Sequence, residues 1–145
     1  MKILLTILTP LFGVSLTTNA ADFNKAKTDN WHHWRGPNAT GASATATPPT
    51  TWSEEKNIKW KITIDGYGSA SPIVWGEKVF ILTAINTGKV DPSLPEPKDQ
   101  PKRIFGITHP NTEYEFVVLC LNRTSGKILW RQVATQLIPH EGTHG

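Results

Sequence analysis

The chain has 145 residues, 38% of them hydrophobic and 19% charged, with a formal net charge of +3; such a balance fits one ordinary globular domain and excludes a chain disordered throughout. Eleven prolines, eleven glycines and six tryptophans argue against long helices and for short strands joined by many turns, so the expected fold class is all-β. The positive excess is spread along the chain without a basic stripe, and no nucleic-acid partner is implied.

Residues 1–20 carry a charged start at Lys2, an apolar stretch from Ile3 to Leu16 broken by Thr6, Thr9 and Pro10, and a small-residue end at Thr18-Asn19-Ala20. That pattern reads as a secretory signal peptide cleaved after Ala20, and the stretch is too short and interrupted for a membrane span. Export to the periplasm or the extracellular space is expected. The single cysteine, Cys120, lies inside an apolar run far from the signal junction, so it reads as a small buried hydrophobe rather than a lipid-anchor or disulfide site.

Residues 21–56 read as an irregular, tryptophan-rich lead, with a loose polar start at Asp22–Asp29 followed by Trp31-His32-His33-Trp34-Arg35-Gly36-Pro37-Asn38 and Thr47-Pro48-Pro49-Thr50-Thr51-Trp52. Gly-Pro fixes a turn, and the tryptophans are apolar anchors able to pin an irregular segment across a sheet. A metal role for His32 and His33 is disfavoured, because adjacent side chains on an extended chain point to opposite sides.

Residues 57–64 read as a strand containing Ile58, Trp60 and Ile62, and its Ile-Lys-Trp-Lys echoes Ile-Leu-Trp-Arg at 128–131. Further strands are expected at about 70–75, 78–84, 115–121 and 127–133, each antiparallel to the one before, with a proline-rich insertion at 85–114. The run Phe116–Leu121, the turn Asn122-Arg123-Thr124-Ser125-Gly126-Lys127 and the run Ile128–Val133 form a hairpin expected to be buried on both sides, with Ile128 and Trp130 on one face. Gly126 can take the positive φ such a turn needs, and Asn122, Thr124 and Ser125 can hydrogen-bond its backbone. Trp130 has the shape of a wedge between neighbouring sheets.

The pattern resembles the tryptophan-containing repeat of the pyrroloquinoline quinone (PQQ) type β-propellers, Ala-x-Asp-x-x-Thr-Gly-x-x-x-Trp. Cys120, Asn122, Ser125, Gly126 and Trp130 stand at its places, with Cys for Ala, Asn for Asp and Ser for Thr. The Trp-Arg-Gly-Pro run and Ser71-Pro72-Ile73-Val74 look like the lead and the blade opening of exported bacterial members. Trp60 and Trp130 are 70 positions apart, and setting aside an insertion of roughly 30 leaves about 40, the usual length of a blade. The resemblance implies a partial β-propeller over 57–145: a closing strand at 57–64 belonging to another blade, and one four-stranded blade at 69–133.

One blade leaves apolar faces unpaired, so the chain is expected to be a fragment, a truncated product or one partner of an assembly. Its partners would be the remaining blades or another protein. The implied function is a binding or scaffold module, non-catalytic by itself. The alternative is a segment of a PQQ-dependent quinoprotein dehydrogenase whose catalytic blades lie beyond residue 145; PQQ and calcium would belong only to that longer chain. No catalytic residue is assigned here. His140-Glu141-Gly142-Thr143-His144 matches the zinc-protease pattern, but Pro139 and Gly142 deny it the helix that holds such a site, and no metal is assigned.

Overall fold

The computed structural model describes residues 20–101 and 106–142, with side chains from Asp22 onward; the expected signal peptide lies almost wholly outside the described residues. Four strands, β1 (Ile73–Trp75), β2 (Lys78–Val90), β3 (Thr112–Asn122) and β4 (Ile128–Leu137), form one antiparallel sheet in the order β1-β2-β3-β4. Among the described residues the other elements are one helix, α1 (Ala20–Asp29), and a 3-10 turn at Pro97–Asp99, so the regular structure there is mostly strand with little helix.

Sheet order follows from the connections. Trp75 pairs with Lys78 across a two-residue turn, and Gly76 there has φ +57°, the positive value that a tight hairpin asks of its first central residue. The β3–β4 turn is also short. The two short turns therefore set β1 beside β2 and β3 beside β4, while β2 and β3 pair across the long connection at 91–111.

Three expectations are corrected. The start at 22–29 is helical rather than loose: Lys25 pairs with Asp29 one turn away, Thr28 and Asn30 bond carbonyls four residues back, and Phe23 packs against Trp75 with ring centroids 6.0 Å apart. The insertion is shorter than 85–114, because β2 runs to Val90 and β3 starts at Thr112. Polar residues mistaken for loop continue the pairing there, with the Thr87 hydroxyl donating to Glu113 O at 3.0 Å and the Asn86 amide to the Tyr114 hydroxyl at 3.4 Å. Finally, residues 57–64 carry no strand ladder. They cross one face of the sheet as an extended arm, where Trp60, Ile62 and Ile64 pack on the core and Lys59, Lys61 and Thr63 are exposed.

Alternation sorts the sheet into two faces. On the first, Val79, Val117, Leu119 and Leu121 form the core, with Val74, Ile81, Ile85 and Val133 around them and the arm above. This is the covered face. On the second, the register aligns Ile73, Phe80, Cys120 and Trp130 in one row across all four strands. Leu82 and Val118 occupy the next row. Leu82 is 53% and Trp130 43% exposed, and this face is open.

The outer side of β1 is capped. The Val74 N–H donates to Trp31 O at 2.8 Å, the Gly76 N–H to Asn30 Oδ1 at 2.6 Å, and Tyr67 exchanges both backbone bonds with Ala84 beyond the end of β1. The lead thus blunts an edge that would otherwise offer bare N–H and C=O groups.

Candidate functional site

The β3–β4 turn is built on one side-chain oxygen. Asn122 Oδ1 accepts from the Thr124 N–H at 3.0 Å, the Ser125 N–H at 2.9 Å and the Ser125 hydroxyl at 3.0 Å. Asn122 N–H in turn donates to Lys127 O, and Gly126 N–H to Asn122 O, both at 2.8 Å. Gly126 has φ +71°, and a Cβ there would meet the Trp60 ring at 2.6 Å. The glycine therefore meets two demands, a left-handed backbone and a close aromatic neighbour. Trp60 completes the contact by donating its indole N–H to Arg123 O at 2.9 Å.

This seat takes the only polar atom of the indole and covers its ring with backbone, an arrangement that suits a large side chain with a polar handle. It ties the arm to a turn 63 residues away. Residue type marks Asn122, Ser125 and Gly126 from the sequence; the part played by Arg123 is invisible there, because its contribution is a backbone carbonyl.

The hairpin beyond the turn departs from expectation. Leu121 pairs with Ile128 and Cys120 with Trp130, so Leu129 is an extra residue on β4. Such a bulge reverses the alternation. Ile128 consequently stands on the covered face and Trp130 on the open one, not together. Nor is the hairpin buried on both sides: β3 is, with Leu121 and Cys120 fully buried, whereas β4 is exposed along nearly all its length as the outer strand. Trp130 rests against Phe80 with centroids 6.0 Å apart, across the buried Cys120.

The open face also has a recess of about 270 Å³, lined in part by Tyr67, Leu82, Ala84 and Phe116. Its walls are mainly apolar; of the hydroxyl-bearing residues on its lining, Tyr67, Ser69 and Thr83, Thr83 is committed to Asp65 O at 2.7 Å. The recess can hold apolar atoms.

Other candidates stay apart from this region. Trp34 and Trp52 are 68% and 69% exposed, so of the lead tryptophans only Trp31 has a pinning role, through its carbonyl and through a ring set against Gly36. The His32 and His33 rings meet edge to face at 4.5 Å; the chain bends at His33, which removes the opposite-sides argument. His32 Nε2 is buried without a hydrogen-bond partner among the described residues. The described part of the insertion is organised by Gln100, whose amide donates to Pro95 O and His109 O and accepts from the His109 N–H at 2.8 Å. His109 Nδ1 meets His140 O, and the Gly142 N–H donates to Thr108 O at 2.9 Å, so the tail folds back onto the insertion.

Among the described residues no three His, Cys, Asp or Glu side chains gather as metal ligands; His144 of the zinc-like pattern lies outside them. No described helix is long and apolar enough to cross a membrane. No protein-family model, curated protein or solved structure matches the chain.

Proposed function

We propose that the chain is the N-terminal segment of an exported PQQ-like β-propeller and serves as a binding or scaffold module, non-catalytic by itself. The single observation that carries this reading is the seating of Trp60 on the Gly126 turn. An Ile-x-Trp arm that forms no ladder with the sheet nevertheless docks, ring and N–H, onto its terminal turn. That is how one repeat would meet the next in a stacked array.

The open face supports the same reading. Ile73, Phe80, Val118 and Trp130 present apolar atoms beside the exposed outer strand β4, and a contiguous apolar surface of this kind marks a contact site. Further blades, or a protein standing in for them, would cover it. Export after cleavage at Ala20 belongs to this proposal, as does the absence of a resident quinone or calcium.

The test is the native exported polypeptide. Its intact mass and N-terminal residue are measured, together with quinone content and dye-linked oxidation of alcohols and sugars after addition of PQQ and calcium. An N-terminus at Ala21 and no turnover are expected. Quinone-dependent turnover would overturn the non-catalytic reading, and a retained Met1 would overturn export by this signal.

A further inference from the structure

Two Ile-x-Trp-basic segments in one chain have different fates. Ile58-Lys59-Trp60-Lys61 lies over the covered face with its tryptophan seated on the Gly126 turn, whereas Ile128-Leu129-Trp130-Arg131 presents its tryptophan on the open face. The chain thus holds one seat and two side chains of the kind that fills it. Seat and exposed tryptophan are on opposite faces of the same sheet, so Trp130 cannot reach the Gly126 turn of its own chain.

We infer that the open face is an interface for a second copy of this chain, docked head to tail with Trp130 in the partner copy's Gly126 turn, and that the 57–64 arm is an internal plug competing for that seat. This rests on the reading of the sheet as a stacking repeat; it adds the identity of the partner and the device that restrains it. What Trp130 needs is what Trp60 already has: a glycine at positive φ with no side chain in the way, and the carbonyl of residue 123 as acceptor. Contact between unlike faces is heterologous, so it propagates into open chains or a ring rather than closing as a twofold dimer.

The arm is suited to displacement. Residues 57–64 have no strand ladder to lose. They join β1 through residues 65–72, and their only described ion pair, Lys61 with Glu54, reaches back to the preceding lead rather than to the sheet and is solvent-exposed. A short tether holds its segment at an effective concentration on the order of 1 mM. At micromolar protein the plug therefore excludes a competing tryptophan by roughly a thousandfold, and the parent chain should associate only near the millimolar range.

Sedimentation velocity of the full chain from micromolar to millimolar tests this, with folding followed by circular dichroism. Trp60→Ala should tighten self-association by about tenfold or more, and adding Trp130→Ala should reverse the gain. Trp60→Phe keeps a ring on the turn but gives up the bond to Arg123 O; it should shift association in the same direction by a smaller factor, and it serves where Trp60→Ala does not fold. On the intact arm, Trp130→Ala should abolish the association seen near millimolar concentration. Folded Trp60 variants that associate no more tightly than the parent would overturn the inference. So would a double variant that associates as tightly as Trp60→Ala, or a parent chain monomeric at millimolar concentration. Each of these leaves the scaffold proposal standing, whereas quinone-dependent turnover of the native polypeptide would remove that proposal and leave self-docking untouched.

Discussion

The Trp60 indole occupies the space that a side chain at residue 126 would fill: a Cβ on Gly126 would stand 2.6 Å from Trp60 Cδ2. Gly126→Ala therefore adds a steric conflict to the strain of a left-handed backbone, φ +71°. A loss of about 2–4 kcal/mol is expected. Gly76 has φ +57°, and a Cβ there would find nothing within 4 Å, so Gly76→Ala should cost only about 1 kcal/mol. Urea melts of the two variants check the difference, and equal costs would show that Trp60 yields without penalty.

Trp60 itself supplies both packing and one hydrogen bond, to Arg123 O at 2.9 Å. Trp60→Phe should cost about 1 kcal/mol, the net value of such a bond. Trp60→Ala should cost about 2–4 kcal/mol, since the side chain is half-buried rather than fully enclosed. Thermal melts read both, and the ranking is the outcome that matters.

The two faces predict opposite sensitivities. Leu121 is fully buried on the covered face, and Leu82 is 53% exposed on the open one. Leu121→Ala should destabilise by about 3–5 kcal/mol through the cavity it leaves, and Leu82→Ala by under about 1 kcal/mol in a dilute, unassociated chain. Comparable losses would mean that the open face is covered in solution.

Asn122 Oδ1 accepts three hydrogen bonds in the turn. Asn122→Ala should cost about 1–3 kcal/mol and loosen the seat for Trp60. Asn122→Asp keeps the acceptor and should stay close to the parent. Tryptophan fluorescence alongside the melt reports whether the indole leaves the turn.

Acid sensitivity follows from Glu113. Bonds from Gln136 first, then Lys89, with Thr87 a smaller contributor, hold its carboxyl below the usual glutamate range. A carboxyl whose folded value is depressed contributes stability above its unfolded value, and that contribution is lost as pH falls through the folded value. Stability should therefore decline below pH of about 4.3, and Glu113→Gln should flatten that decline. An unchanged pH profile in the variant would place the acid sensitivity elsewhere.

Local chemistry was legible in the residues. An apolar run of strand length at Phe116–Leu121, a glycine closing a polar turn at Gly126, and Gly76 between two short runs determine strands and tight turns, because alternation and positive φ are properties of single residues and their near neighbours. The hairpins β1–β2 and β3–β4 follow, since short turns leave their strands no other arrangement, whereas β2 and β3 pair across the long connection at 91–111. Tertiary structure decided what depends on register and on partners distant in sequence. An extra residue at Leu129 put Ile128 and Trp130 on opposite faces, although their spacing by two implied one face. Residues 57–64 have strand alternation but gained no ladder; with Trp60, Ile62 and Ile64 facing the core, the arm was placed by burial and by one indole bond to a carbonyl 63 residues away. A backbone oxygen has no signature in the residue letters. Only folding brings it beneath the tryptophan.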